Sequence, residues 1–165
     1  MKELKISTTA VLYNNDELPA DYGQLVEYAK SQIKRSYSPY SHFAVGAAAL
    51  LSDGTIVGGS NQENAAYPSG LCAERTALFY AHSQYPDKAV KALAIACFTG
   101  GHFTKQPGAP CGNCRQVMVE FEHVADEPMA VILYGEEKTC VFKSSKDLLP
   151  LAFFAEAMEG EGTAI

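Results

Sequence analysis

Between residues 21 and 35, apolar side chains recur at Leu25, Val26, Ala29 and Ile33, separated by polar residues. Steps of one, three and four place them on one side of a helix. Asp21-Tyr22-Gly23-Gln24 has capping-box spacing, which makes Asp21 the expected N-cap. Residues 36–41, with Pro39, read as a loop, and residues 43–51 form an apolar run suited to a strand. Asp53-Gly54 then predicts a hairpin into a second strand over 55–59. The turn Pro68-Ser69-Gly70 precedes a helix from 72 to about 83. Residues 91–98 read as a buried strand, and 99–110 as a Gly/Pro-rich loop long enough to carry a function. A helix from about 112 to 122, two strands over 129–134 and 138–142, and a last helix beginning near Ser145 complete the pattern. Five strands interleaved with helices predict an α/β/α layered sheet, mixed because of the early hairpin. No repeat, low-complexity stretch or linker divides the chain, so 1–165 is expected to be one domain with its core at about 21–153.

Composition sharpens this picture. Apolar residues make up 47% of the chain and charged residues 19%, the balance of a globular domain with a proper core. No apolar run has membrane-spanning length, and Met1-Lys2-Glu3-Leu4 does not open a signal peptide, so a cytoplasmic protein is expected. The formal net charge is −6, and the densest basic stretch is only Lys30, Lys34 and Arg35. That balance disfavours nucleic acid as a partner but not a small neutral substrate.

The five cysteines are the informative feature, because an odd count does not read as a disulfide framework. Cys97 and Cys140 lie in apolar strand-like runs, whereas Cys72, Cys111 and Cys114 sit beside glycine, proline and charged residues. Cys111-Gly112-Asn113-Cys114 places two sulfurs three residues apart at a helix start, where both can face one metal and where the helix terminus favours thiolate. Redox pairs use the same spacing. Cys72 and Glu74 are two apart, which is wrong for a shared helix face. They converge only if Cys72 stands at the very start of its helix. Three thiolates without a fourth Cys or His nearby describe an open zinc site, with the remaining position available to water. Zinc at +2 with three thiolates leaves −1, so something must draw charge from the sulfurs; the helix termini and Arg75 are the candidates. Glu74 is then the proton carrier that a hydrolytic deamination needs, and ligand-x-Glu with Pro-Cys-x-x-Cys is the known signature of zinc nucleobase deaminases.

Four blocks make the resemblance specific: residues 37–46 (YSPYSHFAVG), 61–68 (NQENAAYP), 72–77 (CAERTA) and 110–116 (PCGNCRQ). Together they resemble the short, homotetrameric type of cytidine deaminase over about residues 24–153. The resemblance implies a three-layer α/β/α sandwich with a five-stranded mixed sheet and a homotetramer whose neighbouring subunits complete the active sites. It implies that Asn61 and Glu63 hold the ribose hydroxyls and that Phe43 packs on the pyrimidine. It further implies backbone contacts to the base near Ala65 and Ala73, a cross-subunit place for Tyr67, and Phe153 at the border of an active site. The implied activity is deamination of cytidine and deoxycytidine in pyrimidine salvage. The alternatives are a related aminopyrimidine nucleoside, such as a nucleoside antibiotic, and a non-catalytic zinc-stabilised oligomer, which would have no need of Glu74. The 98–110 loop looks a few residues longer than the family's, and the tail after Phe153 departs from its pattern.

Overall fold

The computed structural model describes residues 1–160. Its strands are β1 (Val11–Tyr13), β2 (Ala44–Leu51), β3 (Ile56–Ser60), β4 (Val90–Thr99), β5 (His102–Phe103), β6 (Ala130–Leu133) and β7 (Thr139–Phe142). Its helices are α1 (Ala20–Gln32), α2 (Ala73–Gln84) and α3 (Gly112–Ala125). The strands form one mixed sheet in the order β1-β7-β6-β4-β2-β3, and β5 folds back on β4. The expected hairpin joins β2 to β3: Gly54 takes a φ of +88° and Asp53 Oδ1 accepts the Thr55 N–H at 3.0 Å.

The sheet therefore has seven strands where the hydrophobic pattern predicts five. The two extra strands, β1 and β5, have three and two residues, too short to show a period of their own. Their neighbours supply the structure: β1 pairs with β7, and β5 closes a tight hairpin on β4. Three helix ends also differ from expectation. α1 begins at Ala20 after Pro19, and Asp21 lies in the first turn, where its charge suits the helix dipole, instead of capping it. The same helix is regular only to Gln32 and finishes in a 3-10 turn through Arg35. The helix expected near Ser145 is a single 3-10 turn, Ser145–Leu148, capped by Ser144. Pro150 follows closely and disfavours continued helix before it.

One face of the sheet packs Ala48, Ala94 and Ile132 against Leu25, Val26 and Ala29 of α1. The other packs Ala47, Leu93 and Val131 against Leu78 of α2 and Met118 of α3. Both contacts are close because glycines stand in the strands. A β-carbon at Gly46 would lie 2.1 Å from the Ala29 carbonyl oxygen, and one at Gly59 2.5 Å from the Ala77 nitrogen. Among the described residues, no helix is long and apolar enough to cross a membrane.

Strand direction decides where the functional residues gather. β3 and β4 are both antiparallel to β2 and hence parallel to each other, and β6 is parallel to β4. The carboxyl ends of β3, β4 and β6 therefore share one edge of the fold. α2 follows β3, and α3 follows β4 and its hairpin, so both helices start at that edge. This is where open α/β sheets place ligands.

At the opposite edge, Glu122 ties α3 to the strands. It is 4% exposed, and its Oε2 accepts from Met129 N (3.0 Å), Ser145 N (2.7 Å) and Ser145 Oγ (2.7 Å). Burial by itself would raise the pKa, but donation from Ser144, Met129 and Ser145 outweighs it and holds the carboxyl below its usual value. Its contribution is thus complete above the ordinary carboxylate pKa and is lost as pH falls through the lower folded value. Glu122→Ala is expected to cost about 3 kcal/mol, since two buried N–H donors lose their acceptor. Urea denaturation at pH 7 measures this loss, and the difference from wild type should shrink below pH 4.

Candidate active site

Cys72 is the N-cap of α2, Cys111 is the N-cap of α3, and Cys114 lies in the first turn of α3. Extended backbone at both caps (ψ 153° and 165°) turns the chain into the helix, whose first N–H groups have no intrahelical partner at the end that carries the cysteines. The Cys72 and Cys111 sulfurs are 3.8 Å apart, those of Cys111 and Cys114 3.5 Å, and all three lie within 4.8 Å of one another. Zn–S bonds of about 2.3 Å in tetrahedral geometry require sulfurs about 3.8 Å apart, so this donor set fits one face of a zinc tetrahedron. Cys97 and Cys140 lie in β4 and β7, as their apolar surroundings predict, and are not part of the cluster.

The surroundings favour an anionic sulfur at Cys72. The Cys72 thiol is held down to about 5, chiefly because Cys114 hydrogen-bonds to it, with Arg75 and Cys111 adding to the effect. Cys114, the donor in this arrangement, is pushed up correspondingly. The Arg75 guanidinium stands 3.8 Å from the Cys72 sulfur through one terminal nitrogen, and its buried Nε has no hydrogen-bond partner. Glu74, 5% exposed, follows Cys72 by two residues in the first turn of α2. Burial raises its pKa, and the negative charge of Cys72 adds to the shift.

A cleft of about 550 Å³ opens beside Cys72, and Asn61, Glu63, Tyr67 and Arg75 are among its other lining residues. Asn61 immediately follows β3, and its amide is already committed. Its Oδ1 accepts from Ser36 Oγ (2.6 Å) and Val45 N (2.8 Å), and its Nδ2 donates to the Phe43 carbonyl (2.9 Å). One amide N–H therefore remains for a ligand. Glu63 accepts from Tyr40 N (2.9 Å) and Ser41 N (3.3 Å) through Oε2, leaving Oε1 free to accept. Hydrogen bonding from Ser41, then Tyr40, holds this carboxyl below its usual pKa.

The remaining expected contacts are distributed differently. Phe43 precedes β2 and is 37% exposed, so it is not a core aromatic. Tyr67 is 76% exposed and meets Tyr40 edge-on at 6.2 Å. Ala65 is exposed, while Ala73 is fully buried at the start of α2 with its side chain in the core. Phe153 lies outside this cleft. Its backbone is gripped by the Gln116 side chain at 2.7 and 3.1 Å, and its ring is 58% exposed. Tyr40, whose N–H binds Glu63, and Gly59, which lets α2 approach β3, also build the site. A glycine inside the strand pattern was the available signal for Gly59.

The family model described as the cytidine and deoxycytidylate deaminase zinc-binding region matches residues 20–128. A cytidine deaminase from Sporosarcina psychrophila is 44% identical over 82% of this chain and 93% of its own length. One from Halalkalibacterium halodurans is 41% identical over 84% and 98%. Among solved structures, the cytidine deaminase from Burkholderia pseudomallei superimposes with a TM-score of 0.68 at 42% identity, covering 79% of this chain and 97% of that one.

The hydrogen bonds of Asn61 make it a clamp between β3 and the start of β2 as well as a candidate ligand contact. Asn61→Ala is expected to lower unfolding stability by about 2 kcal/mol. Chemical denaturation without substrate checks this, and wild-type stability would remove the clamp.

Proposed function

The chain belongs to the cytidine and deoxycytidylate deaminase family, and on that premise we propose that it hydrolyses cytidine and deoxycytidine to uridine and deoxyuridine with release of ammonia. The observation that carries this reading is Glu74, a buried carboxylate two residues from Cys72 beside three convergent sulfurs. A purely structural metal site has no use for an acid there, whereas hydrolytic deamination does.

Cys72, Cys111 and Cys114 would hold the zinc. Once bound, the metal supplies the Lewis acidity that makes water a nucleophile near neutral pH. Arg75 and the N-termini of α2 and α3 offset the surplus negative charge of three thiolates. Glu74 takes a proton from the attacking water and delivers it to the ring nitrogen of the pyrimidine. It then carries the second proton to the departing amine, so that water is consumed, the C4–N bond breaks and ammonia leaves. Burial, by raising the Glu74 pKa, suits a group that must hold a proton between these steps.

Asn61, with one free N–H, and Glu63, with a free acceptor oxygen, complement the hydroxyls of a sugar, and exposed Phe43 offers a ring face to the base. The base edge would meet the backbone near Ala65 and Ala73. The cleft volume falls in the range of small-molecule sites, which supports a free nucleoside as substrate. The exposed rings of Tyr67 and Phe153 support a homotetramer in which neighbouring copies complete each site. Pyrimidine salvage in the cytoplasm is the setting that matches this chemistry, and the acidic net charge of −6 disfavours nucleic acid as substrate.

A spectrophotometric assay with cytidine and deoxycytidine, run beside zinc analysis, tests the proposal. Glu74→Gln should keep its zinc and lose at least about 100-fold in kcat. A zinc-loaded wild-type protein inert toward both nucleosides would overturn the reading, as would full activity in Glu74→Gln.

A further inference from the structure

The loop leading to Cys111 passes close over β4 at residue 108. Cys97, 5% exposed, lies in β4 opposite Val45 and shares a core cluster with Ala73 and Cys114. Its backbone carbonyl accepts the Thr104 N–H at 3.0 Å, and its sulfur faces Gly108. A β-carbon at residue 108 would lie 2.5 Å from that sulfur and 3.5 Å from the Cys97 β-carbon. The first distance is a clash and the second ordinary van der Waals contact, so the missing side chain at 108 matches the sulfur at 97. The sulfur belongs to a side chain that is 5% exposed and packed in the core cluster, so it has neighbours on its other sides.

The rest of the loop has little freedom to adjust. Glu136 N donates to Thr104 O at 3.0 Å and Glu137 N to Lys105 O at 3.1 Å. Gly135 packs so tightly there that a β-carbon would lie 2.7 Å from the Lys105 carbonyl oxygen. Asn15 holds the Gly135 carbonyl from the other side at 3.0 Å. Downstream, Arg115 Nε donates to Pro110 O at 2.8 Å, tying the loop end to α3. With both ends fixed, the height of residue 108 above β4 sets where Pro110 and Cys111 stand relative to Glu74.

We propose that Gly108 and Cys97 form a positioning pair: the glycine lets the loop settle on the thiol, and this contact aligns the Cys111 end of the metal site with Glu74. Neither residue touches substrate. The inference deepens the deaminase reading and rests on it.

Three variants test it: Gly108→Ala, Cys97→Ala and the double variant Cys97→Ala/Gly108→Ala. Each is compared with wild type by kcat and KM for cytidine. Each is also compared by the thiolate-to-metal charge-transfer band after cobalt(II) replaces zinc. Gly108→Ala should lose about tenfold or more in kcat, because small misplacements of reacting groups are costly. Its KM should stay within about twofold, and the cobalt band should shift. In the double variant the sulfur is gone and the new methyl meets only a β-carbon. Its kcat should return to within about threefold of wild type, and its band to the wild-type position.

Wild-type kcat and band in Gly108→Ala would overturn the proposal. So would a loss that the double variant does not recover, or a fall in melting temperature alone. If Gly108→Ala does not accumulate, the double variant decides against Cys97→Ala: equal or higher kcat supports the pair, and lower kcat overturns it. A wild-type protein inert toward cytidine would instead sink the deaminase reading, while the cobalt bands would still decide the positioning claim.

Discussion

Three sulfurs confined within 4.8 Å of one another cannot all be anionic without charge to oppose them. Aqueous solvation is reduced there, since Cys114 is fully buried and Cys72 partly so. The opposing charge comes from Arg75, from the first N–H groups of α2 and α3, and, in the proposed holoprotein, from zinc. The fold supplies those helix termini through strand direction. With β3, β4 and β6 parallel, each crossover helix must begin where its preceding strand ends, at the same edge of the sheet. Close packing of α2 on Gly59 then fixes how far Cys72 and Glu74 project beyond that edge.

The same edge explains why the remaining candidate residues are near the sulfurs although scattered in sequence. Phe43 precedes β2, which runs the opposite way, so its entry lies beside the exits of β3 and β4. Asn61 and Glu63 follow β3 directly. Their hydrogen bonds to Phe43, Val45, Tyr40 and Ser41 join the two segments into one wall. The side chains proposed to contact substrate thus also serve local folding.

Much of this was legible in the sequence where a pattern had enough length to declare itself. The periodic run of α1, the Asp53-Gly54 hairpin and the apolar runs of β2 and β4 all appear as read, because each repeats its signal over several residues. The two-residue separation of Cys72 and Glu74 correctly demanded that Cys72 stand at a helix start. The failures have the opposite character. β1 and β5 are too short for a period and exist through their partners. The apparent capping box at Asp21 lost to a helix beginning two residues earlier, after Pro19. The turn at Ser145 has helical composition but is held by Glu122, twenty-three positions away, which no local pattern reveals. The long 98–110 segment is likewise structured from outside its own pattern: distant Gly135 and Asn15, with Cys97 at its entry, give it a defined path.

The central claim is that one zinc ion is bound by three sulfurs from two helix starts with one position left open. X-ray absorption at the zinc edge of the purified protein tests it directly. The account predicts one zinc per chain with three sulfur neighbours at about 2.3 Å and a single light-atom neighbour. Four sulfurs, or two, would contradict it.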